Sequence, residues 1–212
     1  MTNAAKTTER DKRPPTREAL LDAALTLFLE RGFAATRVED IAVQAGISKG
    51  AVYLHFATKK ELFEGVVQAG VLQRLEQAEQ LAAGFEGSAM ELLTTMLQNN
   101  LLEFWGSPSS GIVKLVVAES QQFPELAIQY YETVTGRARE LLEQIIRHGL
   151  ERGEFRELDP DYTARVILNA LDYELVLNHT LGPDAHGRSE PHRYIEALLG
   201  LIRASVVCEG AA

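Results

Sequence analysis

The residues best suited to chemistry in this chain lie between Thr36 and Lys60, in the segment TRVEDIAVQAGISKGAVYLHFATKK. A helix that enters a DNA major groove about 12 Å wide must lead with small or hydrogen-bonding side chains. Lys49-Gly50-Ala51 has that character. Gly50 and Ala51 let the backbone come close to the bases, Lys49 can reach a guanine edge or a phosphate, and the Ala51 methyl can touch thymine. Tyr53 and His55 carry polar tips suited to phosphate oxygens. The other reactive residue types do not compose a second centre. The five histidines, His55, His148, His179, His186 and His192, have neither metal-ligand spacing nor a clear nucleophile partner. No glycine-rich phosphate loop is present, and Gly182-Pro183-Asp184 reads as a turn. The single cysteine, Cys208, can form neither an intrachain disulfide nor a zinc cluster; it is an inert thiol or a redox sensor. The expectation is a non-enzyme without metal or cofactor.

Groups that must meet a groove have to be held by rigid elements, and the flanking residues supply them. Leu20, Ala23, Ala24, Leu27 and Phe28 recur at helical spacing after Pro14-Pro15, and Gly32 stops that first helix behind Arg31. Thr36 to Glu39 fits a capping box for a second helix over about Val38 to Ala45. Gly46 supplies a left-handed exit, and Ser48 caps a third helix through Lys49 to Phe56. Val38, Ile41, Ala42, Ala45, Ile47, Val52 and Phe56 can close a small core with the first helix, which leaves Arg37, Ser48, Lys49, Tyr53, His55 and Lys59 outside. This is a helix-turn-helix with its second helix displayed. Thr58 caps a long helix-compatible stretch to about Ala83, and further helices are expected at about Ala89 to Trp105, Gly111 to Gln122, Pro124 to Arg152, Pro160 to Leu181 and Pro191 to Val207. No alternating strand pattern competes. The expected fold is all-α with about nine helices: a flexible basic arm over 1–15, a helix-turn-helix domain over 16–60, and a larger ligand-binding and dimerisation domain over 61–212.

Charge divides in the same place. The net charge is -9, yet residues 1–60 hold ten Lys/Arg against seven Asp/Glu while residues 61–212 hold eleven against twenty-three. A basic head on an acidic body is what keeps the body off a phosphate backbone. The arm with Lys6, Arg10, Lys12, Arg13 and Arg17 is either a solvated tail or a minor-groove and phosphate contact. The opening MTNAAKTTERDKRPPT lacks the apolar core of a signal peptide, and no stretch is apolar enough to cross a bilayer, so a cytoplasmic protein with no membrane partner is expected.

Phe33, Thr36, Ile41, Ala42, Ala45, Gly46, Ser48, Gly50, Tyr53, Phe56, Lys59, Leu62 and Phe63 together give residues 17 to 63 a pattern that resembles the DNA-binding domain of the TetR family of bacterial regulators. The resemblance implies DNA contacts from Thr36 and Arg37, from Ser48, Lys49, Gly50 and Ala51, from Tyr53, Leu54 and His55, and from Lys59, with Phe56 in the core. Val116-Val117-Ala118-Glu119 with Phe123-Pro124-Glu125-Leu126, and Gly153-Glu154-Phe155-Arg156 before Asp159-Pro160, resemble the carboxy-terminal domain of AcrR-like members. That implies a repressor of a nearby operon, released from a palindromic operator by an apolar or aromatic inducer.

Two further assignments concern the body. Met90, Met96, Trp105, Phe123, Tyr130, Tyr131, Asn169 and Tyr173 could line a mainly apolar pocket with a few polar tips. The last two helices are apolar over arcs wider than one buried face. Either they form a thick core or, as the family resemblance implies, Ile167, Leu171, Leu175, Ile195, Leu198 and Ile202 form a four-helix interface in a homodimer.

Overall fold

The computed structural model describes residues 17–181 and 190–207. The arm over 1–15, Thr16, the Gly182-Pro183-Asp184 turn, His186 and Cys208 lie outside the described residues. Among the described residues there are nine helices and no strand; an isolated antiparallel bridge joins Phe155 to Val207. They are α1 (Arg17–Ala35), α2 (Val38–Ala45), α3 (Lys49–His55), α4 (59–83), α5 (89–105), α6 (Ile112–Glu119), α7 (124–151), α8 (Pro160–Leu181) and α9 (Pro191–Val206). Three of them, α4, α5 and α7, contain a π-helical turn, at Gln68–Leu72, Met96–Leu101 and Tyr131–Thr135 respectively, and the backbone stays right-handed helical through each junction.

The helix ends are set by local chemistry. Pro124, Pro160 and Pro191 begin α7, α8 and α9, where the missing N–H has no helical partner to lose. Ser88 and Glu91 form a capping box at the start of α5. At Ser48 the side chain accepts from the Ala51 N–H at 3.1 Å, which starts α3. Thr58 Oγ1 accepts from Glu61 N–H at 3.1 Å and starts α4. Gly46, at φ 71°, ends α2 in the left-handed region, and the Ile47 N–H returns to the Ala42 carbonyl at 2.9 Å. α2 and α3 therefore meet at a turn of fixed angle.

The expected cap at Thr36 does not form. Thr36 is buried, at 1% exposure, and its hydroxyl donates to the carbonyl of Leu27 or Gly32, at 3.1 and 2.7 Å. Arg37 occupies the N-cap of α2 instead, with no side-chain cap bond. The cause is upstream. Gly32 sits at φ 82° and ψ 165°, a conformation essentially confined to glycine, and it folds the end of α1 back so that Thr36 meets the carbonyls α1 leaves open.

One core runs through the molecule. Leu20, Leu27, Phe28, Ile41, Val52 and Leu62 are almost fully buried in the head, and an aromatic cluster continues the packing toward the body. Phe33 touches Phe28, Phe63 and Phe123 at ring-centroid distances of 5.5, 5.6 and 5.0 Å. α6 packs on α1 of the head and on α8 of the body, while α7 packs along α8. α9 is fastened by Tyr194, whose hydroxyl donates to the Ala170 carbonyl at 2.8 Å and whose ring stands edge-on to Trp105.

The packing of α4 against α1 and Phe56 is tight at Gly65, where an added Cβ would lie 2.7 Å from Phe56 Cε1 and 3.1 Å from Leu21 Cδ2. Gly65→Ala is expected to lower stability by about 1–3 kcal/mol through this overpacking, read as a shift of the urea unfolding midpoint with unchanged slope.

Candidate nucleic-acid interface and ligand cavity

α3 stands on the surface with its inner side anchored by Val52, and Phe56 closes the turn after it; both are buried. Arg37, Ser48, Lys49, Gly50, Tyr53, Leu54 and His55 are exposed and Ala51 is half-buried. A Cβ on Gly50 would meet nothing nearer than Ser48 Oγ at 3.8 Å, so no neighbour within the chain requires a glycine there. Leu54, on the same short helix, is 87% exposed. A helix face that is bare at one end and carries an unburied leucine at the other is shaped for contact with something outside the chain. Lys49 ion-pairs with Glu39 on α2 and lies 5.7 Å from the Tyr53 ring centre. That contact holds the lysine pKa up and the glutamate pKa down. Both groups are open to solvent, so the pair is easily exchanged for another anion.

Two residues expected at this surface are committed elsewhere. Thr36 is inside, as described, with its hydroxyl bonded. Lys59 turns inward and its ammonium donates to the carbonyls of Phe33, Ala34 and Thr36 at 2.7, 3.2 and 3.0 Å. Burial lowers its pKa below the usual lysine range, with the charge of Glu119 acting in the opposite direction. The same bend is held from the other side by Glu119 at the end of α6, whose Oε1 accepts from the N–H of Phe33 at 2.8 Å and of Ala34 at 3.4 Å. A Cβ at Gly32 would come within 2.5 Å of that oxygen. Lys59 is thus a positioning residue, and Glu119 braces the same bend from α6.

The body contains a cavity of about 180 Å³ between α4, α5, α6, α7 and α8. Met96 and Tyr130 are among the residues that line it. Met90, Trp105, Phe123, Tyr131, Asn169 and Tyr173 do not. Trp105 packs on Tyr194 and Phe123 joins the aromatic cluster at the head, while Tyr131 and Tyr173 are 51% and 65% exposed. Asn169 is also exposed. Helical spacing alone could not tell these faces apart. All three π turns contribute to the wall, through Val71, through Met96, Leu97 and Leu101, and through Val134 and Thr135. Such turns interrupt helices most often at functional sites. Asp172 on α8 also lines the cavity, and burial pushes its carboxyl up to about 6. Burial, with the charge of Asp172 adding to it, raises the neighbouring Tyr130 phenol above its usual range. The signal that would have found Asp172 is an acid three or four residues from Leu168 and Leu175 and next to Leu171, on the inner side of an apolar helix.

The dimer residues also need correction. Ile167, Leu171, Leu175, Ile195 and Ile202 are between 1% and 6% exposed and belong to the core of the single chain, and Leu198 is half-buried. The apolar residues left open are offset from them by a position or so on the helix: Tyr162, Val166 and Tyr173 on α8 and Leu201 on α9, each 65–68% exposed. Ala197, Gly200 and Ala204 extend that strip along α9.

A displayed second helix in a glycine-turned helical hairpin, carried on a larger helical body, defines a helix-turn-helix DNA-binding regulator. Residues 20–66 match the profile for bacterial regulatory proteins of the tetR family, and residues 86–189 match the tetracycline repressor-like carboxy-terminal domain. The transcriptional repressor KstR2 of Mycolicibacterium smegmatis is 31% identical over 71% of this chain and 73% of its own length. The transcriptional regulator AcrR of Shigella flexneri is 25% identical over 87% of each chain. The crystal structure of FadR from Bacillus subtilis, solved with stearoyl-CoA, has the same fold, with a TM-score of 0.70 at 21% identity, covering 88% of this chain and 97% of that one. The chain belongs to the TetR family of DNA-binding transcriptional regulators. No helix among the described residues is long and apolar enough to cross a membrane.

Two outcomes check this geometry. Lys59→Met leaves three carbonyls without their shared charged donor and should lower stability by about 1–3 kcal/mol, measured by denaturant unfolding, whereas Arg37→Ala should leave stability unchanged. Asp172 binds its proton better in the folded chain than in the unfolded one, whose value is near 3.8. The contribution of Asp172 to folded stability is therefore fully present below about pH 4 and is lost as pH rises through about 6, by roughly 3 kcal/mol. Asp172→Asn removes that decline, so the variant should be the more stable form at about pH 7.5 and lose its advantage near pH 4, as read from unfolding curves at the two pH values.

Proposed function

We propose that this regulator is a repressor that binds a palindromic operator as a homodimer and leaves it when a small apolar or aromatic ligand occupies the body cavity. The observation that carries the reading is the shared bend at Gly32. α6 lines the cavity with Val113 and, six residues later, holds the bend with Glu119. α4 holds the same bend with Lys59 and, from its π turn onward, lines the cavity with Val71, Leu75 and Ala78. At 1.5 Å per residue the first path is only about 9 Å long. A ligand that prefers a different packing of α4 against α6 would re-aim the head, and differential affinity for the two arrangements is all that release requires.

Arg37, Ser48, Lys49, Gly50, Ala51, Tyr53, Leu54 and His55 are the DNA-contacting residues in this reading, with Lys49 exchanging Glu39 for the duplex. The strip of Tyr162, Val166, Tyr173 and Leu201 is the dimer interface. Two-fold pairing through it sets the heads to half-sites spaced about 34–36 Å, or bends the duplex to match. Repression is supported by the similarity to KstR2, and a ligand-filled body by the likeness to FadR. The cavity here is smaller than the roughly 300–1,000 Å³ of sites for drug-sized ligands, which favours a short alkyl chain or a single ring over a long acyl thioester.

Selection of genomic fragments by the purified protein should return an inverted repeat upstream of a gene whose transcription rises when the regulator is deleted. Fragments without two-fold symmetry, or no fragment at modest ionic strength, would sink the proposal. Leu201→Glu places a charge in the pairing strip and should give monomers at micromolar concentration in sedimentation, with operator affinity reduced by about 100-fold or more as the second head is lost.

A further inference from the structure

We infer that Glu39 and Lys49 read one G·C base pair of each operator half-site as a unit, Lys49 donating to guanine O6 and N7 and Glu39 accepting from the amino group of the paired cytosine. The inference rests on the DNA-contacting reading of α3 above and adds an acidic reader from α2 to it. Lys49 is the first residue of α3. The N-terminal residues of a recognition helix are the ones that meet base edges in a major groove. Glu39 lies in the first turn of α2, and its carboxylate pairs with the Lys49 ammonium across the hairpin. A carboxylate that touches this ammonium is therefore carried to the same base edges. The contact favours the charged form of both groups. Each side chain still keeps about half its surface open, at 52% for Lys49 and 51% for Glu39. Beside them Gly50 leaves the helix bare, with nothing nearer than 3.8 Å to an added Cβ.

The chemistry of the two side chains selects the base pair. An ammonium has donors only and a carboxylate has acceptors only. In the major groove guanine shows two acceptors and cytosine shows a donor, and the O6 and N4 groups lie within a hydrogen bond of each other, as the two side chains do. An A·T pair fits less well: thymine has a single acceptor beside a methyl group, and adenine N7 repels a carboxylate that approaches N6. Giving up an exposed ion pair costs little, so two charge-assisted contacts to bases outweigh it. Where the bases do not match, Glu39 adds a negative charge beside a polyanion and counts against binding. Asp40 supplies the comparison. It is a second acid in the same turn of α2, but its partner is Arg31 on α1, at 3.2 Å.

The test is a base-pair scan of an operator recovered by genomic selection, with the affinity of the full chain measured by fluorescence anisotropy at one fixed salt concentration. For the wild-type chain, changing the G·C pair to A·T should cost about 10-fold or more. Replacing its cytosine by 2-pyrimidinone, which lacks the amino group, should cost about 5-fold. Lys49→Met should weaken discrimination at that base pair, which locates it. Glu39→Ala should weaken discrimination at the same pair and abolish the effect of 2-pyrimidinone, while the other positions of the operator keep their wild-type costs. Those retained costs also show that the variant is folded. Asp40→Asn should leave the whole profile unchanged. The inference is overturned if Glu39→Ala keeps the wild-type profile, as a residue that merely favours the start of α2 would, or if Asp40→Asn reproduces its effect. It is overturned equally if the preference lost is for a base other than cytosine. In each of these cases operator recognition by α3 stands. If no operator is recovered, or Lys49→Met changes no position, the DNA-contacting reading of Lys49 falls and this inference falls with it.

Discussion

The bend at Gly32 is the constraint on which the arrangement of head and body depends. A helix that ends by turning sharply exposes backbone donors and acceptors in a region too buried for water to satisfy them all. Here the donors of Phe33 and Ala34 take a carboxylate from α6, and the carbonyls of Phe33, Ala34 and Thr36 take an ammonium from α4. The two charges come from two of the helices that line the cavity. Neither could be exchanged for an apolar residue without leaving main-chain groups unpaired, a loss larger than the net value of either bond alone. The joint is therefore stiff in one arrangement. A signal from the body has to move it as a unit rather than loosen it.

Above this joint the head needs little help from the body to hold its shape. Ser48 and Gly46 fix where α3 begins and where α2 ends, α3 packs on α2, and Val52 and Phe56 are buried beneath it. In the proposed reading, what the body controls is direction. The Phe33 ring touches Phe28 and Phe63 on the head side and Phe123 on the body side, so the aromatic packing crosses the boundary at the point where the charged contacts do. Close-packed rings transmit displacement because they have no soft mode to absorb it.

What could be read from the sequence was whatever local chemistry decides. The order and bounds of the helices, the caps at Ser48 and Thr58, the left-handed Gly46 and the displayed α3 all depend on residues within a few positions of one another. Thr36 and Lys59 were misplaced because their partners lie at other points of the fold: Lys59 bonds to carbonyls 23 to 26 residues away. Glu119 bonds to an amide 86 residues distant, which no spacing rule can reveal. On α8 the error was angular. Ile167 and Val166 are adjacent in sequence but about 100° apart around the helix, and an arc apolar on both sides does not say which seam faces inward. Tyr194 decides it for α9, by fastening Ile195 and Leu199 against the body and leaving Leu201 open.

The cavity shows the same division from the side of energetics. Three π turns widen three separate helices around one space, and each replaces tighter α-helical bonding with a bulge. Asp172 adds a carboxyl that burial holds in an unfavourable state. In a chain whose other local choices agree with the fold, from proline at the start of α7, α8 and α9 to glycine where α4 packs on α1, these departures converge on one place. Departures from consistency that are scattered indicate tolerance, whereas departures that share a cavity indicate use. In the proposed reading, occupancy would supply packing for the widened helices. Since α4 and α6 each line that cavity and reach the Gly32 bend, a ligand that stabilises a filled form would, in the proposed reading, alter the forces at the joint.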